Sequence, residues 1–258
     1  MRPDIVVDIG NSRIKWGRCE PTGEVGRTAS LPDDVSRWQQ TLDEWELRER
    51  PLCWAVASVQ PQRAEQLTAW LEQRGDRVVL LRQTQLPLEV ALAAPERVGI
   101  DRLLNAVAAK SVLPAGRPAV LIDAGSAVTV DWLDEQHRFQ GGAIFPGMDL
   151  MAQALHRYTA LLPLVQVTPP VPRLPAGATV PAIQVGIFLA VSGGIREAVR
   201  RYTAASRVMP RVFFTGGQAQ LLSEAMELPL QPGSVWEDFL LWPEMTLIGV
   251  QRSVEGLP

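Results

Sequence analysis

The 258-residue sequence is poor in the residue types that build metal clusters and disulfide frameworks, with two cysteines and two histidines. Cys19 and Cys53 show no CxxC spacing, so we predict two reduced, structural thiols. His137 and His156 are isolated in the sequence, and we expect structural or exposed roles for both. The sequence therefore predicts neither a disulfide framework nor a metal site built on cysteine or histidine.

The sequence also lacks an excess of positive charge and a long apolar run. A net charge of −3 and a pI near 5.5 provide no basic surface for nucleic acid or anionic lipid. No run approaches the ~18 apolar residues of a membrane span, and the N-terminal letters MRPDIVVDIG lack the apolar region of a signal peptide. With 47% hydrophobic and 21% charged residues, the composition predicts a cytoplasmic globular protein that binds neither nucleic acid nor membrane.

The first informative segment reads as two strands joined by a tight turn. The apolar run Ile5–Ile9 carries one carboxylate, Asp8, and ends at Gly10-Asn11. Because glycine and asparagine tolerate positive φ, this pair predicts the turn into a second strand. A carboxylate in a buried strand is costly unless something binds it. With Ser12 and Lys15 close behind, the turn is a candidate phosphate-binding loop.

The same pattern returns in AVLIDAGSAVTVDWLDE, residues 119–135. Asp123 aligns with Asp8 and Gly125 with Gly10 at one offset of 115 residues, and Ser126 follows. Two such copies nearly half a chain apart predict a duplicated domain, the organisation of actin-like ATPases. Two hairpins of that kind hold the nucleotide phosphates between the halves, because backbone N–H groups cradle phosphate oxygens and each Asp holds a cation or its waters.

We therefore predict an α/β fold of duplicated actin-like (ribonuclease H-like) ATPase domains with a central cleft, over residues 1–114 and 115–258. The alternative for each hairpin taken singly is an ordinary sheet edge, because D-x-G is a weak motif. Apolar runs and helical spacing predict further strands and helices: strands near 52–59, 78–81 and 212–215, and helices near 64–74, 102–113 and 182–202.

Three further features bear on ligands or packing. The strand ending at Thr215 breaks at Gly216-Gly217, which suits a nucleotide base or ribose; a plain strand-to-helix turn is the alternative. Residues 161–181 hold six prolines and predict irregular structure: a linker, a loop over the substrate or a segment crossing to a partner subunit. The eight tryptophans are scattered along the sequence, which favours core or interface packing.

The segment RVGIDRLLNAVAA places Asp101 and Arg102 where a glycine turn gives way to a helix. One interpretation is structural: the carboxylate caps the helix and the arginine is a surface charge. The other is catalytic. Asp101 then takes the proton of an attacking hydroxyl, and Arg102 holds an anionic substrate or the transferring phosphoryl group.

Read in order, these segments resemble the motif series of type III pantothenate kinases, the Bvg accessory factor family. The matching motifs run from about Asp4 to Gly249: DIGNSRIK, VASVQP, GIDR, DAGSAVTVD, GGAIFPG, TALLP, GATVPAIQVGI and TGG. The resemblance implies a fold similar to that of acetate and sugar kinases and a homodimer. It also implies phosphorylation of pantothenate, the first step of coenzyme A biosynthesis, with ATP, Mg²⁺ and a monovalent cation, K⁺ or NH₄⁺.

The same resemblance implies roles for individual residues. Asp101 matches the general base, Asp8 lies near the Mg²⁺, and Asp123 matches the monovalent-cation ligand. The residues implied in ATP binding are Asp8, Gly10, Asn11, Ser12, Lys15, Gly125, Ser126, Gly216 and Gly217. Those implied in pantothenate binding are Gly99, Ile100, Arg102 and Thr179, the last supplied by either subunit.

The chain departs from the family pattern at three positions. Ser12 and Ser126 stand where the family usually has threonine, and both keep the hydroxyl. Leu92 stands where the family often has a tyrosine that lines the pantothenate site, and leucine removes that hydroxyl. This leaves open a compensating residue, a shifted acceptor or a non-catalytic regulatory paralogue. A phosphohydrolase of the same fold, with a carboxylate that activates water, is the other alternative.

Overall fold

The computed structural model describes residues 2–47, 51–226 and 234–255. The chain divides into two compact units: unit 1 consists of Met1–Leu113 with Glu244–Pro258, and unit 2 of Pro114–Pro243. The predicted domain ranges therefore differ from these units at residue 114 and in residues 244–258. In chain order the elements are β1 (Ile5–Ile9), β2 (Ile14–Cys19), β3 (Val25–Leu31), α1 (Val35–Glu44), β4 (Cys53–Ser58), α2 (Pro61–Gln73), β5 (Arg77–Leu80), α3 (Ile100–Lys110), β6 (Ala119–Ala124), β7 (Ala127–Leu133), β8 (Phe139–Pro146), α4 (Met148–Tyr158), α5 (Thr179–Ala205), β9 (Arg211–Thr215), α6 (Ala219–Met226), β10 (Phe239–Leu241) and α7 (Met245–Val254).

The sheet of unit 1 has the strand order β3-β2-β1-β4-β5. β1, β2 and β3 pair antiparallel, while β4 and β5 run parallel to β1. All five residues of the central strand β1 are buried. Its only polar member, Asp8, is 7% exposed, so the sheet places this carboxylate at the buried end of its middle strand.

A cluster of tryptophans fills one side of this sheet. Trp16 lies 4.8 Å from Trp54 between ring centroids, in an edge-to-face arrangement that suits the quadrupoles of the two rings. Trp38, Trp45 and Trp70 lie within 6.5 Å of Trp16 by the same measure. The tryptophans that are dispersed in the sequence thus meet in the core, which confirms the predicted packing role for these five.

The C-terminal helix α7 packs on α3 and β1 of unit 1. A Cβ atom at Gly249 would collide with the Leu104 carbonyl oxygen, so glycine is what lets the two helices approach closely. A buried hydrogen bond from Thr246 Oγ1 to Asn105 Oδ1 (2.9 Å) ties the same pair together. These contacts explain why residues 244–258 belong with unit 1.

The sheet of unit 2 has the order β10-β9-β6-β7-β8 and repeats the topology of unit 1. β6, β7 and β8 pair antiparallel, while β9 and β10 run parallel to β6. The order from β8 to β10 thus matches that from β3 to β5. In chain order α6 lies between β9 and β10, as α2 lies between β4 and β5. The shared topology confirms the predicted α/β fold of duplicated domains.

The longest helix, α5, is long and apolar enough to cross a membrane by length and composition alone, with a mean hydropathy of 1.4 over an 18-residue stretch. One such helix is weak evidence, because core helices of soluble proteins meet the same criterion. Ile187, Val191 and Ile195 belong to the buried core of unit 2. We therefore describe α5 as the core helix of that unit.

The predicted element positions hold with small shifts. The helix predicted at 102–113 is Ile100–Lys110, and the one at 182–202 is Thr179–Ala205. The proline-rich segment is irregular as predicted until α5 begins. Pro181 lies in the first turn of α5, where a missing N–H costs nothing. The local patterns did not predict β3, α1, β8, β10 or α7.

The two cysteines lie on the strands that flank residue Asp4. Cys19 N–H donates to the Asp4 carbonyl and Asp4 N–H to the Cys53 carbonyl, both at 2.8 Å. The backbones of the two cysteines are thus two strand spacings apart, about 9.5 Å, and Cα atoms at that separation cannot be bridged by a disulfide. No disulfide joins them. Burial raises the pKa of the Cys19 thiol to about 12, with Asp4 adding to the effect, so it is protonated at neutral pH.

Candidate functional site

The turn of the first hairpin spans residues 10–13. Asp8 pairs with Lys15 across β1 and β2, and Gly10 N–H donates to the Arg13 carbonyl at 3.0 Å. Asn11 and Ser12 therefore form the tip. The tight turn predicted after Ile9 is therefore confirmed, although neither Gly10 nor Asn11 uses the positive φ that these residue types tolerate. A two-residue tip closes here with ordinary backbone angles.

Side chains from the start of α2 contact this turn. Gln60 Nε2 donates to Asn11 Oδ1 at 2.5 Å, and Arg63 Nη1 donates to the Gly10 carbonyl at 2.6 Å. Arg63 also forms an ion pair with Asp33, Nε to Oδ2 at 2.7 Å. The motif VASVQP was noticed in the sequence, but no role was assigned to Gln60 or Arg63. The available signal was a polar residue directly before Pro61 at a strand-to-helix junction.

The turn of the second hairpin is one residue shorter. Asp123 pairs with Thr129, and Gly125 N–H donates to the Ala127 carbonyl at 3.1 Å, which leaves Ser126 alone at the tip. A Cβ atom at Gly125 would lie 3.7 Å from Asp123 Oδ1. The glycine therefore leaves open the side of the turn on which the carboxylate lies.

Backbone packing holds the second turn. Gly147 N–H donates to the Ser126 carbonyl at 2.9 Å. A Cβ at Gly147 would collide with the Gly125 carbonyl oxygen and lie 2.7 Å from that of Ser126. Gly216 has φ +97°, and a Cβ there would lie 2.6 Å from backbone atoms of Ala124. Glycine is thus required at both supporting positions.

The Gly216-Gly217 pair has two different environments. Gly216 is explained by its contact with the end of β6, as in a plain strand-to-helix turn. A Cβ at Gly217 would meet nothing within 4 Å, so this residue is open to a ligand. The next residue, Gln218, donates its N–H to the Ala124 carbonyl (2.9 Å) and accepts from Met148 N–H (3.4 Å). Gln218 thus links β9, β6 and the start of α4.

The acceptor loop predicted from GIDR lies at the start of α3. Gly99 is the N-cap residue, and Asp101 lies in the first turn with Oδ1 accepting from Arg102 N–H at 2.9 Å. The N-cap residue is thus Gly99 and not Asp101, although the Asp101 carboxylate does accept from a first-turn N–H, as the structural interpretation expects. A Cβ at Gly99 would lie 2.5 Å from Asp101 Oδ1, so glycine leaves room for the carboxylate. Ile100 is 3% exposed, which leaves only its main chain for a ligand.

The remaining predicted residues are accessible. Thr179 is the first residue of α5 and is exposed, while Ala178 is its N-cap. Leu92 is 36% exposed. Within unit 1 the structure thus gathers the candidates Asp8 to Lys15 on one hairpin. Within unit 2 it gathers Asp123, Gly125, Ser126, Gly216 and Gly217 at one end of the sheet.

No group of three or more His, Cys, Asp or Glu side chains could hold a metal ion among the residues that the structure describes. Asp8 and Asp123 each offer one carboxylate at the end of a central strand. Mg²⁺ at nucleotide sites is bound through one or two carboxylates together with phosphates and water. These donors therefore fit a cation that is bound together with a nucleotide.

The chain is similar to known proteins over most of its length. A sequence model described as type III pantothenate kinase matches residues 5–201. A protein of that name from Akkermansia muciniphila is 33% identical over 224 residues, covering 86% of this chain and 90% of that protein. The chain belongs to the type III pantothenate kinase family. A relative from Gluconobacter oxydans is 28% identical over 257 residues, covering 96% and 91%.

With several relatives the alignment spans only about half of each protein: the one from Persephonella marina is 35% identical over 57% of this chain and 56% of that protein. Among solved structures, a Campylobacter jejuni protein named as a Baf family transcriptional activator has a TM-score of 0.61 at 18% identity, covering 97% of both chains. An activator of 2-hydroxyisocaproyl-CoA dehydratase from Clostridium difficile, solved with ADPNP, has a TM-score of 0.53 at 13% identity, covering 98% and 92%. Both likenesses concern the fold, which this family member shares with actin-like ATPases.

Proposed function

We propose that this type III pantothenate kinase family member transfers the γ-phosphoryl group of ATP to pantothenate, forming 4′-phosphopantothenate for coenzyme A biosynthesis. The observation that carries the proposal is the repeated hairpin: each central strand presents an aspartate and then a short glycine turn. Such turns offer backbone N–H groups to phosphate oxygens. Family membership supports pantothenate as the acceptor.

The proposed ATP contacts lie on both hairpins. In unit 1 they are Asp8, Gly10, Asn11, Ser12 and Lys15. In unit 2 they are Gly125, Ser126 and Gly217, with Gly216 holding the turn beside them. Lys15 brings a positive charge into register with Asp8, and cations of this kind stabilise the charge of a transferring phosphoryl group.

Asp101 is the proposed general base. It takes the proton of the primary hydroxyl of pantothenate while the hydroxyl oxygen attacks the γ-phosphorus and ADP leaves. The neighbouring Arg102 provides a guanidinium for the anionic acceptor or the transferring group. Gly99, the Ile100 main chain and Thr179 complete the proposed pantothenate contacts. Most of the acceleration in such a reaction comes from positioning and charge neutralisation.

The proposal assigns Mg²⁺ to Asp8 and a monovalent cation, K⁺ or NH₄⁺, to Asp123. When bound, these cations neutralise phosphate charge. Asp8 and Asp123 occupy matching places near the ends of the two central strands, opposite Lys15 and Thr129 respectively. The family resemblance is what separates their roles.

The proposal includes a homodimer in the cytoplasm. The family resemblance carries the dimer, and unit 2 exposes large apolar side chains of the kind that a subunit interface buries. They include Ile144, Leu150, Leu161, Leu164, Leu174 and Leu189.

The test is ADP formation by the purified full chain with ATP and Mg²⁺, with and without pantothenate, and with Na⁺, K⁺ or NH₄⁺ varied. Turnover that depends on pantothenate and rises with K⁺ or NH₄⁺, together with phosphopantothenate by mass, supports the proposal. ADP formed without pantothenate indicates a phosphohydrolase or another acceptor. ATP binding without turnover indicates a regulatory paralogue, for which Leu92→Tyr is the variant to examine.

A further inference from the structure

The Asn11 side chain at the tip of the first turn is held in one orientation. Its single acceptor, Oδ1, is occupied by Gln60 Nε2 at 2.5 Å. An asparagine amide has two N–H donors besides that acceptor, and these donate to no other residue in the part of the chain that the structure describes. Gln60 thus turns both donors of Asn11 away from α2.

Arg63 orients the backbone of the same turn. Its Nη1 holds the Gly10 carbonyl at 2.6 Å while its Nε pairs with Asp33 at 2.7 Å. A trans peptide is planar, so its N–H points opposite to its C=O. Because Arg63 draws the Gly10 carbonyl toward α2, the N–H of Asn11 points away from α2, on the side to which the Asn11 amide is also turned.

We propose that Gln60 and Arg63 are positioning residues that aim the Asn11 backbone and amide donors at the phosphates of ATP, with Asp33 holding Arg63 in place. This inference rests on the proposed function of the hairpin. Neither residue touches the ligand; each acts through Asn11 or Gly10. Three N–H donors that converge on one side of a turn form an anion site, and their preset direction removes an ordering cost on binding.

The expected effects follow from the bonds that each variant removes. Arg63→Ala loses a charge-assisted hydrogen bond, and the Arg63 side chain is 17% exposed, so solvent compensates little. We expect its ATP dissociation constant to rise about 10- to 100-fold. Gln60→Ala loses a neutral hydrogen bond and should raise this constant roughly 3- to 10-fold. Asp33→Ala keeps the bond to Gly10 and should have the smallest effect, about 3-fold.

The experiment measures ATP binding by titration calorimetry without acceptor, and KM for ATP and for pantothenate, on the full chain. The variants are Arg63→Ala, Gln60→Ala and Asp33→Ala, with Arg63→Lys as the conservative change that keeps one donor for Gly10. Gln66→Ala, at an exposed position of the same helix, is the matched control. Melting temperature reports on folding in each case.

Weaker ATP binding with KM for pantothenate within about twofold of wild type, partly restored in Arg63→Lys, supports the inference, because a purely structural defect would not separate the two substrates. Folded Arg63→Ala and Gln60→Ala proteins that bind ATP as wild type does would overturn it. If Arg63→Ala does not fold, the ATP dissociation constants of Gln60→Ala and Asp33→Ala test the inference instead. Wild-type protein that binds no ATP would instead reject the proposed function, and the positioning role with it.

Discussion

The two hairpin turns come from one repeated sequence pattern, yet they are held in different ways. Side chains of α2 hold the first, through Gln60 and Arg63. Backbone contacts hold the second, through Gly147 and Gly216, each where a Cβ would not fit. After duplication the topology was retained while the supports of the two turns diverged. The first turn can therefore be altered by side-chain substitution, and the second chiefly by adding a side chain where there is none.

The turns also differ in their tips and charges. The first has a two-residue tip and places Lys15 opposite its aspartate; the second has a one-residue tip and places Thr129 opposite Asp123. The one-residue difference means that Ser126 corresponds to Asn11 when counted from the first strand and to Ser12 when counted from the second. We expect the first turn, with its longer tip, to supply more donors to phosphate.

The largest effect should come from Gly147→Ala. The new Cβ would collide with the Gly125 carbonyl, and neither backbone can move cheaply, so the free energy of unfolding should fall by roughly 3 kcal/mol. Displacement of the second turn should also lower kcat/KM for ATP by about 100-fold. Chemical denaturation and steady-state kinetics measure the two effects.

The control is Gly26→Ala, where a Cβ would come as close as 2.7 Å, but to the Glu20 side chain. That side chain can rotate away, so stability should change by less than about 1 kcal/mol. Equal losses in the two variants would contradict the claim that rigid backbone packing holds the second turn.

An intermediate effect is expected from Asn11→Asp in the first turn. The aspartate has the same shape and can still accept from Gln60, but it has no N–H donors and adds a negative charge beside the phosphates. ATP should bind roughly 10- to 100-fold more weakly, with an unchanged melting temperature. Calorimetric titration measures this. Unchanged affinity would show that Asn11 does not contribute donors, and would leave the two turns functionally alike.

The smallest effect concerns Asp134, at the β7–β8 turn of unit 2. Burial raises the pKa of this carboxyl, but hydrogen bonds from Arg138 N–H and from the Gln140 and Arg138 side chains outweigh it and lower the pKa below its usual range. A carboxylate with a depressed folded pKa stabilises the protein above its unfolded pKa, and this contribution is lost as pH falls through the folded pKa.

Asp134→Asn should therefore show a smaller drop in stability than wild type between pH 7 and about pH 3. Urea unfolding at both pH values measures the difference. Asp134 lies at the opposite end of β7 from the Gly125 turn. Activity at neutral pH should therefore be retained. An equal loss of stability in both proteins would show that the Asp134 carboxylate does not contribute to the pH dependence.

Much of the fold could be predicted from local patterns, whereas the supports of the site could not. The runs around Asp8 and Asp123 predicted the central strands because buried parallel neighbours demand continuous apolar residues. The contacts of Gln60 and Arg63 join residues 49 and 53 positions apart, so no local periodicity reports them. The tight turn at Gly10-Asn11 was predicted, but its tip length and backbone angles were not, because turn type depends on loop length as well as on residue type.

The roles of the supporting glycines could not be predicted from local sequence patterns either. Gly216 was visible in the sequence, but its contact with Ala124 depends on β6 and β9 being neighbours in the sheet. Gly147 ends the motif GGAIFPG, and only the paired strands reveal that it lies against Gly125. The roles of Asp101, Thr179 and Leu92 stay predictions from the family resemblance.

The most direct test of the central claim, that Asp101 is the base of an ATP-dependent pantothenate kinase, is Asp101→Asn measured for turnover and ATP binding together. The exchange keeps the shape of the side chain at the start of α3 but removes its basicity. The account predicts that kcat falls by about 10²–10⁴-fold, while the ATP dissociation constant stays within about twofold of wild type. Turnover equal to that of wild type would contradict it.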